Sequence, residues 1–157
     1  MGADRVPDES SYGAAAALAR GEVAVLRLPR MRDERGSLTV LEGGVHVPFE
    51  LARARWVYGV PEGEARGGHA HHATVQLFVA VAGAVTVLVD DGRGGAERAH
   101  RLDAPDVALL VPPRTWVRLA EFAPGTVCVF FASTPFSQAD YIRDRDEFRA
   151  LVARDPA

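Results

Sequence analysis

Residues 74–92 read TVQLFVAVAGAVTVLVDDG. Two apolar runs rich in β-branched residues flank Ala82-Gly83, and the second ends at Asp90-Asp91-Gly92. Val, Thr and Phe suit a pleated, half-buried surface, so both runs are expected to be strands. The Ala-Gly pair fits a tight hairpin connection, and the Asp-Asp-Gly marks the next turn. Working outward, ERAHRLDAPD, VALLVPP, TWVRLAEF and TVCVFFAS follow at short spacing. On the other side lie VAVLRL at 23–28, DERGSLTVLEG at 33–43 and a strand over roughly Ala54–Val60. Short β-rich runs punctuated by Gly, Pro and Asp predict an antiparallel sandwich or barrel. Only Gln138–Ala153 reads as helical, with Tyr141, Ile142, Phe148, Leu151 and Val152 as its apolar positions. Residues 1–20 are polar and then alanine-rich and are expected to be poorly ordered, with at most a short helical turn in AAAALAR. The remainder, 21–157, is expected to be one all-β domain.

The totals narrow the function. The chain has 157 residues, enough for one sizeable core, and its 48% hydrophobic and 25% charged residues are an ordinary globular balance. A formal charge of -3 gives no reason to expect general nucleic-acid binding. All 18 basic residues are arginine, so Schiff-base chemistry through lysine is excluded. The lone Cys128, between Val127 and Val129, reads as a small buried hydrophobe in a reducing compartment. No apolar run reaches the ~20 residues of a membrane span, and MGADRVPDESSYG carries no signal core. A cytoplasmic protein is expected.

Before the opening stretch stands RGGHAHH, residues 66–72. If it runs into a strand, His69 and His71 share one face and His72 takes the other. Two imidazoles on a concave face suit a metal or a pair of proton carriers; on a convex face they are merely polar. Gly67 and Gly68 let backbone approach a ligand, and the planar fork of Arg66 suits a phosphate or carboxylate. His46 and His100 are isolated and receive no role.

The spacing resembles the first cupin motif, with Gly63, His69, His71 and Gly83 in place. The motif's glutamate is here Gln76, and Val117 stands where a further histidine belongs. A divalent metal usually takes three or more protein ligands, so no metal or other cofactor is expected. What remains is an imidazole pair suited to proton transfer near neutral pH.

Longer stretches resemble the sugar 3,4-ketoisomerases, small metal-free cupins acting on dTDP-4-keto-6-deoxyglucose. They are RGSLTVLE (35–42), VPFELARARWVY (47–58), RGGHAH (66–71), VAVAGAVTVLVDDG (79–92), LLVPPRTW (109–116) and ADYIRDRDEF (139–148). The resemblance implies a cupin jelly-roll β-barrel with a short C-terminal helix. It implies a reaction that moves a carbonyl from C4 to C3 of a dTDP-linked deoxyhexose through an enediol. It implies His69 as the base at C3, His71 as its helper and Tyr58 as a tyrosine near the sugar. Arg66 and, more weakly, Arg35 would meet the nucleotide, while Gln76 would orient a histidine or a sugar hydroxyl. A homodimer with exchanged N-terminal strands is also implied. The chain departs from the family at Val117, Val75 and STPFSQ (133–138). Those departures keep three alternatives open: a diverged epimerase or cyclase, a non-catalytic sugar-nucleotide-binding module, and a metallo-cupin.

Overall fold

In the computed structural model, residues 9–155 are described. Helix α1 (Glu9–Ala19) is followed by β1 (Ala24–Arg27), β2 (Arg30–Asp33), β3 (Gly36–Thr39), β4 (Arg53–Tyr58) and β5 (Arg66–His71). Then come β6 (Gln76–Ala82), β7 (Val85–Asp90), β8 (Arg98–Leu102), β9 (Val107–Val111), β10 (Trp116–Ala120) and β11 (Val127–Ala132). A 3-10 turn (Gln138–Asp140), β12 (Tyr141–Ile142) and α2 (Arg145–Arg154) complete the order.

The strands form two five-stranded antiparallel sheets, β1-β9-β6-β11-β4 and β12-β5-β10-β7-β8, with β2–β3 as a separate hairpin. The expected barrel is therefore not closed: the structure is a two-sheet jelly roll with edges at β1, β4, β12 and β8. Phe78, Ala80, Leu109, Val111 and Cys128 of the first sheet meet Val85, Val87, Val89, Leu102, Val117 and Leu119 of the second in the central core. Cys128 is fully buried, and burial pushes its thiol up to about 12, as suits an inert hydrophobe.

The connection at Ala82-Gly83 is not the expected hairpin. β6 pairs with β9 and β11, whereas β7 pairs with β10 and β8, so the turn carries the chain from one sheet to the other. Gly83 has φ +68°, and a Cβ there would lie 2.6 Å from the Thr126 Cα, so glycine fixes a corner rather than a strand pair. The Asp90-Asp91-Gly92 turn does join paired strands; Asp90 Oδ1 accepts from the Gly92 N–H at 2.7 Å.

The outer faces are covered at both ends of the chain. Ala14 and Ala17 of α1 are buried against Leu26, Leu77, Val79, Ala108 and Leu110, so from Glu9 on the N-terminal segment is ordered helix, not loose chain. Its first eight residues lie outside the described part. The C-terminal helix begins later than expected, at Arg145. Asp144 caps it by accepting from the Glu147 N–H at 2.8 Å. The two residues read as its first turn, Tyr141 and Ile142, instead pair with His71 and Ala70 of β5. Ile142 packs with Ala70, Trp116, Phe148 and Val152 beneath α2, which leaves Tyr141 on the inner side.

Candidate active site

Strand alternation places the two histidines as expected. Ala70 faces α2, while His69 and His71 face the space between the sheets; His72, one residue beyond β5, is exposed. Their rings meet edge to face with centroids 5.1 Å apart. Val117 is the cross-strand partner of His69, so the position that a third imidazole would fill is apolar. Among the described residues no group of three His, Cys, Asp or Glu side chains converges to hold a metal.

Asp140 sets the state of His71. Its Oδ2 lies 2.9 Å from His71 Nδ1, its Oδ1 accepts from the Ala73 N–H at 2.8 Å, and Thr74 Oγ1 also donates to it. An ionised carboxylate only accepts, so Nδ1 carries the hydrogen and the neutral ring offers a lone pair at Nε2. That Nε2 is buried and has no partner. Partial burial alone would raise the Asp140 carboxyl, but the bonds from Thr74, Ala73 and His71 hold it below its ordinary value.

Cations surround the pair. Arg53 and Arg55 project inward from β4, opposite Ala132 and Phe130. Arg55 Nη1 donates to the Tyr141 hydroxyl at 3.0 Å, and its guanidinium lies 4.6 Å from the centroid of the Phe130 ring. Arg53 lies over Phe136, with Nε and Nη1 buried and unpartnered; Arg143 covers the outer side of Tyr141. None of these three arginines has a carboxylate within ion-pair distance among the described residues. Burial, then His71 and the three arginines, pushes His69 down to about 4. Burial also lowers His71, and Asp140 partly opposes it. Both imidazoles are neutral at pH 7, the form a base requires. The Tyr141 ring centroid lies 4.3 Å from that of His71 and 5.1 Å from that of His69.

The other sequence-predicted residues fall elsewhere. Gln76 is buried on the inner face of β6, in line with Phe78. Arg66 is exposed at the start of β5, roughly 10 Å along the strand from His69. Tyr58 is 68% exposed on the outer face of β4, about 17 Å along the strand from Arg53; one chain does not bring it to the histidines. Arg35 sits at the tip of the β2–β3 hairpin, paired with Asp33 at 2.6 Å. Sequence reasoning missed Arg53, Arg55, Asp140, Tyr141 and Arg143. Inside ADYIR, the alternation of Tyr141 and Arg143 about Ile142 was the available signal, hidden because the segment read as helix.

Fold and site together define a cupin-type jelly roll with an acid–base pair between its sheets. Comparison with known proteins gives the family. A family profile described as FdtA, WxcM-like, C-terminal, matches residues 21–153, and the chain belongs to that family. A TDP-4-oxo-6-deoxy-alpha-D-glucose-3,4-oxoisomerase from Aneurinibacillus thermoaerophilus is 33% identical over 133 residues, covering 85% of this chain and 94% of that protein. The crystal structure of a 3,4-ketoisomerase from Helicobacter canadensis matches with TM-score 0.79 and 30% identity over 83% of this chain and 97% of that one. QdtA, a sugar 3,4-ketoisomerase from Thermoanaerobacterium thermosaccharolyticum solved in complex with TDP, matches with TM-score 0.81 and 27% identity over 84% of this chain and 95% of that one.

Proposed function

We propose that the protein is a 3,4-ketoisomerase of a dTDP-4-keto-6-deoxyhexose, acting through an enediol in deoxysugar biosynthesis in the cytoplasm. One observation carries this reading: a neutral, Asp140-anchored imidazole pair opens its free Nε2 into a recess edged by arginines that lack counter-ions. The C3 hydrogen of such a sugar is acidified by the neighbouring C4 carbonyl. A buried neutral imidazole removes it, and fixed cations offset the charge developing at O4. Buried guanidinium donors without partners also suit the diphosphate of the nucleotide. The named activity of the Aneurinibacillus relative supports the same assignment.

In this reading His69 takes the C3 proton and His71 assists. Gln76 orients the sugar or an imidazole from the inner face of β6, and Arg66 meets the nucleotide at the solvent end of β5. Tyr58 has no part in the chemistry, because it stands on the opposite face at the far end of β4. The chain works as a homodimer through its β2–β3 hairpin. That hairpin pairs with neither sheet and exposes Met31 and Leu38 by 53% and 59%. Exchanged between copies, it would cover this apolar surface and carry Arg35 towards the partner. Analytical ultracentrifugation should show a dimer that Met31→Asp weakens.

The activity is tested by incubating the protein with dTDP-4-keto-6-deoxyglucose and identifying the product by NMR. A 3-keto product supports the isomerase. Inversion at C3 with the carbonyl still at C4 identifies an epimerase instead, the outcome that the apolar Val117 beside His69 keeps in contention.

A further inference from the structure

We infer that Tyr141 is a second catalytic residue, the carrier of the oxygen-bound proton in the isomerisation. The inference rests on the reading above that the substrate is a 4-keto sugar with a free C3 hydroxyl.

Moving a carbonyl from C4 to C3 requires two proton transfers at once. A hydrogen leaves C3 and returns at C4. Separately, O4 must gain a proton and O3 must lose one. The histidine that holds the carbon proton cannot supply O4 in the same step. His71 cannot supply it either, because its one ring hydrogen is committed to Asp140 and its exposed edge in the recess is the Nε2 lone pair. Arginine stays protonated throughout. The group facing both imidazoles that does carry a transferable proton is the Tyr141 phenol.

The geometry suits that role. Tyr141 pairs directly across from His71, and its ring touches both histidine rings. Proton carriers must stand roughly 3 Å from the atoms they serve, so neighbouring rings can reach adjacent atoms of one sugar. Arg55 Nη1 donates to the phenol oxygen at 3.0 Å. The tyrosine is thus an acceptor in its one protein hydrogen bond, and its own hydrogen remains to be given away. Arg143 stacks on the ring, so two guanidinium charges face any phenolate that forms.

The steps balance. A histidine takes the C3 proton; the C3–H bonding pair becomes the C3=C4 bond, and the carbonyl π pair moves to O4, which takes the Tyr141 proton. The enediol now lies between an imidazolium and a phenolate. The phenolate then takes the proton from O3, the C3=O bond forms, and the enediol π pair takes the imidazolium proton at C4. Both side chains return to their starting states without oxidant or reductant.

Tyr141→Phe keeps the ring contacts and removes the proton. With dTDP-4-keto-6-deoxyglucose it should lower kcat by about 10²–10⁴-fold while KM moves less than about threefold. Replacing Tyr141 by a fluorotyrosine, whose phenol is more acidic, should shift a limb of the kcat/KM pH profile to lower pH. A Tyr141→Phe enzyme within about threefold of wild-type kcat, or a pH profile unmoved by fluorination, would overturn the inference while leaving the isomerase intact. If Tyr141→Phe fails to fold, the fluorotyrosine profile decides alone. A wild-type protein that forms no 3-keto product fails the isomerase reading itself and takes this role with it.

Discussion

The two ends of β4 carry similar side chains to opposite purposes. At its start Arg53 and Arg55 turn inward, and two donor nitrogens of Arg53 are buried without partners. At its end Tyr58, like Trp56 before it, turns outward, and the two are 68% and 60% exposed. An ordinary sheet strand puts its apolar residues inside and its charges in water. Here charge is inside and aromatic surface outside. A buried, unpaired guanidinium costs free energy unless something anionic arrives, so the start of β4 is arranged for a ligand. The exposed aromatics at its end carry no such unmet demand.

The sharpest break in that contrast comes from the histidines. His69→Asn and His71→Asn should each lower kcat by about 10²–10⁴-fold with the thermal melt nearly unchanged. Retained activity in both would move the chemistry away from this end of the sandwich. Next in size, Arg53→Met should weaken dTDP binding by about 10–100-fold, the loss expected for a charged hydrogen bond. The same change should raise the melting temperature of the free protein, since it removes a buried unpaired charge. Calorimetry and a melt on one sample read both, and a lowered melting temperature would show that Arg53 is structural. Asp140→Asn should cost about 10–100-fold in activity by releasing the His71 ring. It should also move the acid limb of the rate profile to lower pH, because the lost carboxylate favoured His71 protonation.

A gentler effect concerns stability. His69 is held near 4 in the fold against 6.5 unfolded, so between these values the unfolded chain binds more protons. Stability should therefore be unaffected by this group above pH 6.5 and fall as pH drops from 6.5 towards 4. Urea titrations should show that His69→Asn flattens this slope. The smallest effect belongs to the far end of β4: Tyr58→Phe should change activity by less than about twofold and stability by less than about 0.5 kcal/mol.

The strands were legible because β-branched runs and turn residues are local signals, and strand parity placed His69 and His71 correctly on one face. What failed was non-local. Gly83 announces a left-handed turn in any setting, but whether the following strand pairs with the preceding one is decided by β9, β10 and β11. Tyr141 and Ile142 read as helix because their apolar spacing continues into Phe148; β5, seventy residues earlier, supplies the pairing that makes them strand. Tyr58 drew attention as an aromatic in a strand, while Arg53 and Arg55 passed for a solvated face, because ARARWVY has the usual alternation with its faces reversed. Asp140 was visible as a letter, and its hold on His71 exists only once β12 lies beside β5.

The central claim is that a histidine of this pair removes the hydrogen at C3 of a 4-keto sugar nucleotide. The most direct measurement is deuterium incorporation at C3 of dTDP-4-keto-6-deoxyglucose in D2O, followed by NMR with wild-type protein and with His69→Asn. The account predicts rapid incorporation with the wild type and a loss of at least about 100-fold in the variant. Incorporation at equal rates in both, or in neither, would contradict it.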